Sequence, residues 1–135
     1  MKKLIFLFAI TLFFVSCKED NETTKWEIIN LEVKSSDWNV STDNDGLNRY
    51  YYSYFDMPEI TSTVYNYGTV LAYFTLDGAQ QVLPFVRHYE NALGELWTRT
   101  VDFDYSPGGL NIYVTNSDFY DEVPPTMYFR VVLMW

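Results

Sequence analysis

The chain has one cysteine, Cys17, and one histidine, His88, in 135 residues. A single thiol cannot form an internal disulfide, and an odd cysteine in an exported chain needs its own explanation. Neither a cysteine nucleophile nor a cysteine-based zinc site is available in the body of the chain. One histidine also makes no zinc cluster, and no Ser-His-acid spacing stands out around it. Alternation places His88 on an edge strand as an ordinary side chain. Basic residues are few, nine against eighteen acidic. That balance argues against nucleic acid, whose phosphates would be repelled. No apolar run is long enough to cross a bilayer as a helix: residues 4–15 are twelve, where a span needs ~20.

What is present at the start is an address. Met1, Lys2 and Lys3 form a short positive region, followed by LIFLFAITLFFV. This suits the apolar core of a signal peptide. The run ends in Phe14-Val15-Ser16-Cys17. A small residue directly before a cysteine at this boundary is the cleavage site of a lipoprotein signal peptidase. Residues 1–16 are therefore expected to be a leader, with the lipid on Cys17. Acyl chains such as palmitate gain about 0.8 kcal/mol per buried CH₂, and stable attachment takes more than one chain. Phe14 departs from the leucine-like residue usual three places before the cysteine. Lys18, Glu19 and Asp20 follow, and residues 17–24 read as a polar tether. The lysine-plus-acidic run resembles the export signal that sends lipoproteins of Bacteroidetes-type bacteria to the outer face of the outer membrane. A plain tether on the periplasmic face is the alternative.

Residues 25–135 read as one domain. Cleavage takes away two of the nine basic residues and none of the acidic ones, so seven face eighteen, a net charge of −11. Electrostatic attachment to anionic lipid is thus disfavoured, and the lipid itself must anchor the chain. Four of the ten Phe lie in the leader, leaving six Phe, four Trp and twelve Tyr in the mature part. Aromatics favour strands and give a small domain a core without disulfides.

From Trp26 onward the pattern has period two. Ile29, Leu31 and Val33 alternate with polar residues. So do Leu110, Ile112 and Val114, while Val70, Ala72, Phe74 and Leu76 form another alternating set, as do Met127, Phe129, Val131 and Leu133. Each predicts a strand with one face toward a core. Asp77-Gly78 predicts a tight hairpin between strands near 69–76 and 80–88. Residues 91–94 predict another turn, and Ser106-Pro107-Gly108-Gly109 a type II turn joining 95–105 to 110–116. Pro84 lacks a donor, so its strand should be an edge or bulged there. Pro124-Pro125 should stiffen the entry to the last strand. Residues 61–67 predict one short helical crossover, with Thr61 as its N-cap, Ile60 and Tyr65 as a staple, and Gly68 as the left-handed residue after it. The expected fold is all-β: a single antiparallel β-sandwich of about seven or eight strands, with a small barrel as the alternative.

Several fragments carry a resemblance: Ser36-Asp37-Trp38, the aromatic stretch 50–55, Ile60-Thr61 with Val64 and Gly68, Val70 with Tyr73, Leu83-Pro84-Phe85, and Phe129-Arg130-Val131-Val132. Their order resembles that of small uncharacterised Bacteroidetes-type lipoproteins. The resemblance spans residues 26–135 and implies a β-sandwich on a cell envelope. It implies no activity and no catalytic residue.

Candidate sites are sparse. Asp43-Asn44-Asp45-Gly46 looks like the middle of a calcium loop, but an EF-hand frame puts Tyr52 where Glu is needed. Asp43 and Asp45 are therefore weak metal candidates, and an ordinary turn explains them better. The acidic run 118–122 could meet that loop at one end of a sandwich. Asp102 and Asp104 share a strand face; glycosidases use paired carboxylates across a cleft, but a solvated face is the simpler reading. Residues 49–55 put aromatics on both faces of one strand, one for the core and the other for a loop or a sugar-stacking platform. Arg130 should face away from the core toward an acid on a neighbouring strand. No cofactor is called for. The expected function is non-enzymatic: a lipid-anchored envelope module that binds a protein partner, with a surface carbohydrate-binding module as the alternative. The first needs a contiguous apolar patch. The second needs two exposed, roughly coplanar rings.

Overall fold

The computed structural model describes residues 23–119 and 121–135. The leader, Cys17 and the Lys18-Glu19-Asp20 signal lie outside the described residues. Among the described residues, nine strands form two sheets. The four-stranded sheet has the order β1 (Trp26–Val33), β9 (Met127–Met134), β4 (Thr69–Leu76), β5 (Ala79–Val82). The five-stranded sheet runs β2 (Asn39–Thr42), β3 (Arg49–Met57), β8 (Gly108–Asn116), β7 (Leu96–Ser106), β6 (Phe85–Glu90). All neighbours are antiparallel. The sheets pack face to face as a sandwich, and among the described residues no ladder closes them into a barrel.

The period-two pattern has the consequence expected of it. Val70, Ala72 and Phe74 are buried with Phe129, Val131 and Leu133 on one sheet and with Leu110, Ile112 and Val114 on the other. Burying each such side chain contributes about 1.5–3 kcal/mol. The β1–β9 pairing continues one step past both strands: Trp135 and Lys25 exchange backbone hydrogen bonds at 2.8 and 2.9 Å. Trp38 is buried, and its indole N–H donates to the Pro125 carbonyl at 3.3 Å, while Ser35 Oγ donates to Pro124 at 3.0 Å. The aspartate-tryptophan fragment thus fixes the proline-rich entry to β9.

Three local expectations are met. Leu76 pairs with Ala79, leaving Asp77-Gly78 as a two-residue loop with both φ positive, at 51° and 78°, the requirement of a type I′ turn. Ser106 pairs with Gly109 around Pro107-Gly108, where Gly108 has φ 84°. A short helix, α1 (Ser62–Tyr67), crosses from β3 in one sheet to β4 in the other, and Thr61 Oγ1 accepts from the Val64 N–H at 3.2 Å.

Three expectations are corrected. The strand near 80–88 is two strands in different sheets. The ladder of β5 ends at Val82, Leu83 turns into the core, and β6 begins at Phe85. Pro84 has no N–H to continue a ladder, so the chain changes sheets there, and both pieces are edges. This break is one reason the count is nine. Gly68 has φ −100° and is extended, not left-handed. Its need for glycine is steric: a Cβ would overlap the backbone oxygens of Met134 and Val64. Arg130 faces outward as expected, but its partners are amides: Asn30 Oδ1 and Gln80 Oε1, each at 3.4 Å.

The register also gives the sandwich two unlike ends. Trp26, Met134 and Thr69 share one cross-strand row at the end where the chain enters β1. α1 and the 107–108 turn lie at that end, joined by the Gly108 N–H to the Ile60 carbonyl at 2.9 Å. The 91–95 turn and the loops 43–48 and 117–126 lie at the far end.

Candidate functional site

The far end holds the more promising site. Along β6 and β7 the inward positions begin with Phe85 opposite Val101, both buried. The same register continues outward with Arg87 opposite Arg99, then Tyr89 opposite Trp97. Here the inner face passes beyond the apolar core, so its side chains become cationic and aromatic. The Tyr89 and Trp97 rings are nearly parallel, 16° apart with centroids at 5.6 Å. The Arg99 guanidinium lies over Tyr89 at 5.4 Å, within cation–π range. Its Nε donates to Oδ1 of the buried Asn116 at 2.9 Å. That clamp leaves Arg99 16% exposed, with one terminal nitrogen 3.9 Å from Glu122.

A cleft of about 790 Å³ opens between this hairpin and the 117–126 loop, lined by Asn91, Glu95, Trp97, Arg99, Asp118 and Glu122 among others. Asn91 shapes the hairpin turn. Its Oδ1 accepts from the N–H groups of Leu93 and Glu95 at 2.9 and 3.0 Å, and its Nδ2 donates to Glu95 Oε2 at 2.5 Å. The cleft therefore offers the Trp97 ring with fixed donors and acceptors around it.

The 117–126 loop is tied down by its acids. Asp121 pairs with Arg49 at 2.5 Å and accepts from the Tyr51 hydroxyl at 2.7 Å. The Arg49 and Tyr51 hydrogen bonds hold the Asp121 carboxyl below its usual range. Arg49 pairs with Thr42 at the base of the 43–48 loop, so the two acidic loops do sit at one end. Asp43 Oδ1 accepts from the N–H groups of Leu47 and Asn48 at 3.2 and 3.4 Å, and Oδ2 from Asn48 Nδ2. Desolvation pushes the Asp43 carboxyl up, but these hydrogen bonds outweigh it and hold it low. Its oxygens are spent on its own turn. Among the described residues, no three His, Cys, Asp or Glu come together as ligands.

The outer face of the five-stranded sheet is a second surface. Tyr51 points inward and is buried, and Phe55 packs against the core; Tyr50, Tyr52 and Tyr54 point outward beside Tyr113. The aromatic strand thus has one core face and one open face. Its rings are not coplanar: Tyr50 is tilted 52° to Tyr52 and 65° to Tyr113. Asp102 and Asp104 stand on this face, opposite Tyr113 and Asn111. Asp104 accepts from Asn111 Nδ2 and from the Tyr113 hydroxyl, each at 2.8 Å. Desolvation, and then the Asp104 charge, push the Asp102 carboxyl up. The pair is brought together, but on a sheet face turned away from the cleft. His88 is exposed on the edge strand β6, with Nδ1 2.8 Å from Thr98 Oγ1.

Sequence reasoning missed the Trp97–Arg99 site. Its signal was Arg87 and Arg99 at inward positions, where a core would have taken apolar residues. No family model, curated protein or solved structure matches the chain.

Proposed function

We propose that the chain is a lipid-anchored, non-enzymatic binding module of a bacterial cell envelope, and that its ligand is a carbohydrate held in the cleft beside Trp97. The anchor rests on the leader and Cys17. The lysine-acidic run 18–20 supports display on the outer face of the outer membrane, and the likeness to small Bacteroidetes-type lipoproteins supports the same address. The ligand class rests on one observation: the Trp97 ring lining an open cleft, backed by the stacked Tyr89 ring, with Arg99 fixed beside it. The C–H face of a sugar packs on an aromatic ring, and its hydroxyls take hydrogen bonds from guanidinium, amide and carboxylate groups.

Titration of the mature domain with a broad polysaccharide panel, with and without calcium, tests this. Binding should be independent of calcium and should fall about tenfold or more in Trp97→Ala, the loss expected for a buried aromatic anchor. No binding across the panel, or binding unchanged by the substitution, rejects the cleft.

A protein partner is the second reading, favoured by the outer face of the five-stranded sheet. Tyrosines among Asn and Asp side chains give large contact area at low entropic cost, as in antibody paratopes. Loss of protein capture in Tyr54→Ala, with Trp97→Ala unaffected, would select it.

A further inference from the structure

The outer face of the four-stranded sheet has no use in the cleft, yet it is unusually apolar over half its length. In the row nearest the chain entry, Trp26 lies beside Met134 and Thr69; in the next, Ile28 lies beside Val132 and Leu71. Trp26 is 66% exposed and Ile28 41%. No charged side chain stands in these two rows. The third row holds Asn30, Arg130, Tyr73 and Val82, tied by the Arg130 hydrogen bonds, and the fourth holds Glu32, Tyr128, Thr75 and Gln80. Polarity thus rises away from the end where the chain enters. The two apolar rows are thus bordered by polar rows along the sheet, a pattern found at interaction sites.

We infer that this half-face rests on the interfacial layer of the lipid bilayer to which the chain is anchored. The inference rests on the reading of Cys17 as the lipidated residue. Cys17 precedes Trp26 by nine residues. Even fully extended, that reach is at most about 30 Å. The row closest to the anchor is the one carrying a tryptophan, which favours the headgroup boundary. The acidic chain gains nothing from anionic lipid, so the contact is apolar and suits a zwitterionic surface. Seated this way, the sandwich turns the outer face of its five-stranded sheet, with the tyrosines, away from the membrane. The contact adds a second attachment signal and fixes orientation, which acyl chains alone do not.

The test uses the mature chain, acylated on Cys17, in phosphatidylcholine vesicles with brominated acyl chains. Bromine quenches tryptophans at the interface. The wild type should be quenched, and Trp26→Phe should lose most of that quenching. Ile28→Asn, at an exposed edge position, should weaken it without changing the melting temperature. Equal quenching in wild type and Trp26→Phe overturns the inference. So does a dimer of the soluble domain, by sedimentation, that Ile28→Asn breaks, since a second copy then covers the face. Mass spectrometry showing no acyl chain on Cys17 overturns the anchor instead. The Cys17→Ser chain, held by an N-terminal histidine tag on chelator-lipid vesicles, then repeats the quenching and decides the face separately.

Discussion

The Tyr113 hydroxyl donates to Asp104 Oδ2 at 2.8 Å from the neighbouring strand, on the outer face of the five-stranded sheet. Burial and this bond together push the Tyr113 phenol from 10.0 up to about 12. The folded state therefore holds its proton at a pH where the unfolded chain releases it. Stability from this group is complete below pH 10 and is lost as pH rises through about 12. Ultraviolet difference titration should show Tyr113 ionising late, with Tyr51, whose phenol burial and the Asp121 bond also push up, ionising above the ordinary range. Asp104→Asn should bring Tyr113 back toward 10.0; no change would mean that the bond is absent in solution.

Asp121 should titrate in the opposite sense. Its carboxyl is held low, first by the Arg49 hydrogen bond and then by Tyr51. Its contribution is present above the unfolded value of 3.8 and disappears as pH falls through the lower folded value. The ion pair is solvent-exposed, so the effect on global stability is small. Local order is the better readout. Asp121→Asn should raise amide exchange across residues 117–126 at neutral pH and remove the acid-induced rise seen in the wild type. Identical exchange in both proteins would show that the loop is held by other contacts.

Gly68→Ala should destabilise the domain by about 1–3 kcal/mol, the usual cost of forcing atoms into packed space. The new Cβ would meet backbone oxygens of Met134 and Val64, neither of which a side-chain rotation can relieve. Thr61→Ala, by contrast, removes only one capping bond and should cost about 1 kcal/mol. Urea unfolding of the two variants gives both numbers. A Gly68→Ala chain as stable as wild type would mean that the helix and β9 shift apart at little cost.

These residues also show what the sequence carried. Period-two alternation determined which faces are core, because a strand presents every second side chain to one side. Thr61 was legible as a cap because capping is local. Gly68 was legible only as a helix end; its steric role depends on Met134, sixty-six positions away. The change of sheet at Pro84 was invisible for a similar reason. A missing N–H says that a ladder stops, not where the next strand goes. The cleft depends on the register across the 91–95 turn, which brings Tyr89 opposite Trp97. That turn type left the register open, so two aromatics eight residues apart did not read as a pair.

The side of the membrane decides which ligands the cleft can meet, and intact cells provide the measurement. Protease shaving of whole cells, followed with antibody against residues 25–135, should remove the domain if Lys18, Glu19 and Asp20 direct it outward. The 91–95 turn is largely exposed at the far end of the sandwich and is the expected first cut in lysed cells. Loss from intact cells makes extracellular polysaccharides the ligands to titrate against Trp97. Survival in intact cells with cleavage after lysis places the cleft in the periplasm, where extracellular glycans do not reach it. The carbohydrate reading then weakens sharply, and the tyrosine face becomes the surface on which to look for a protein partner.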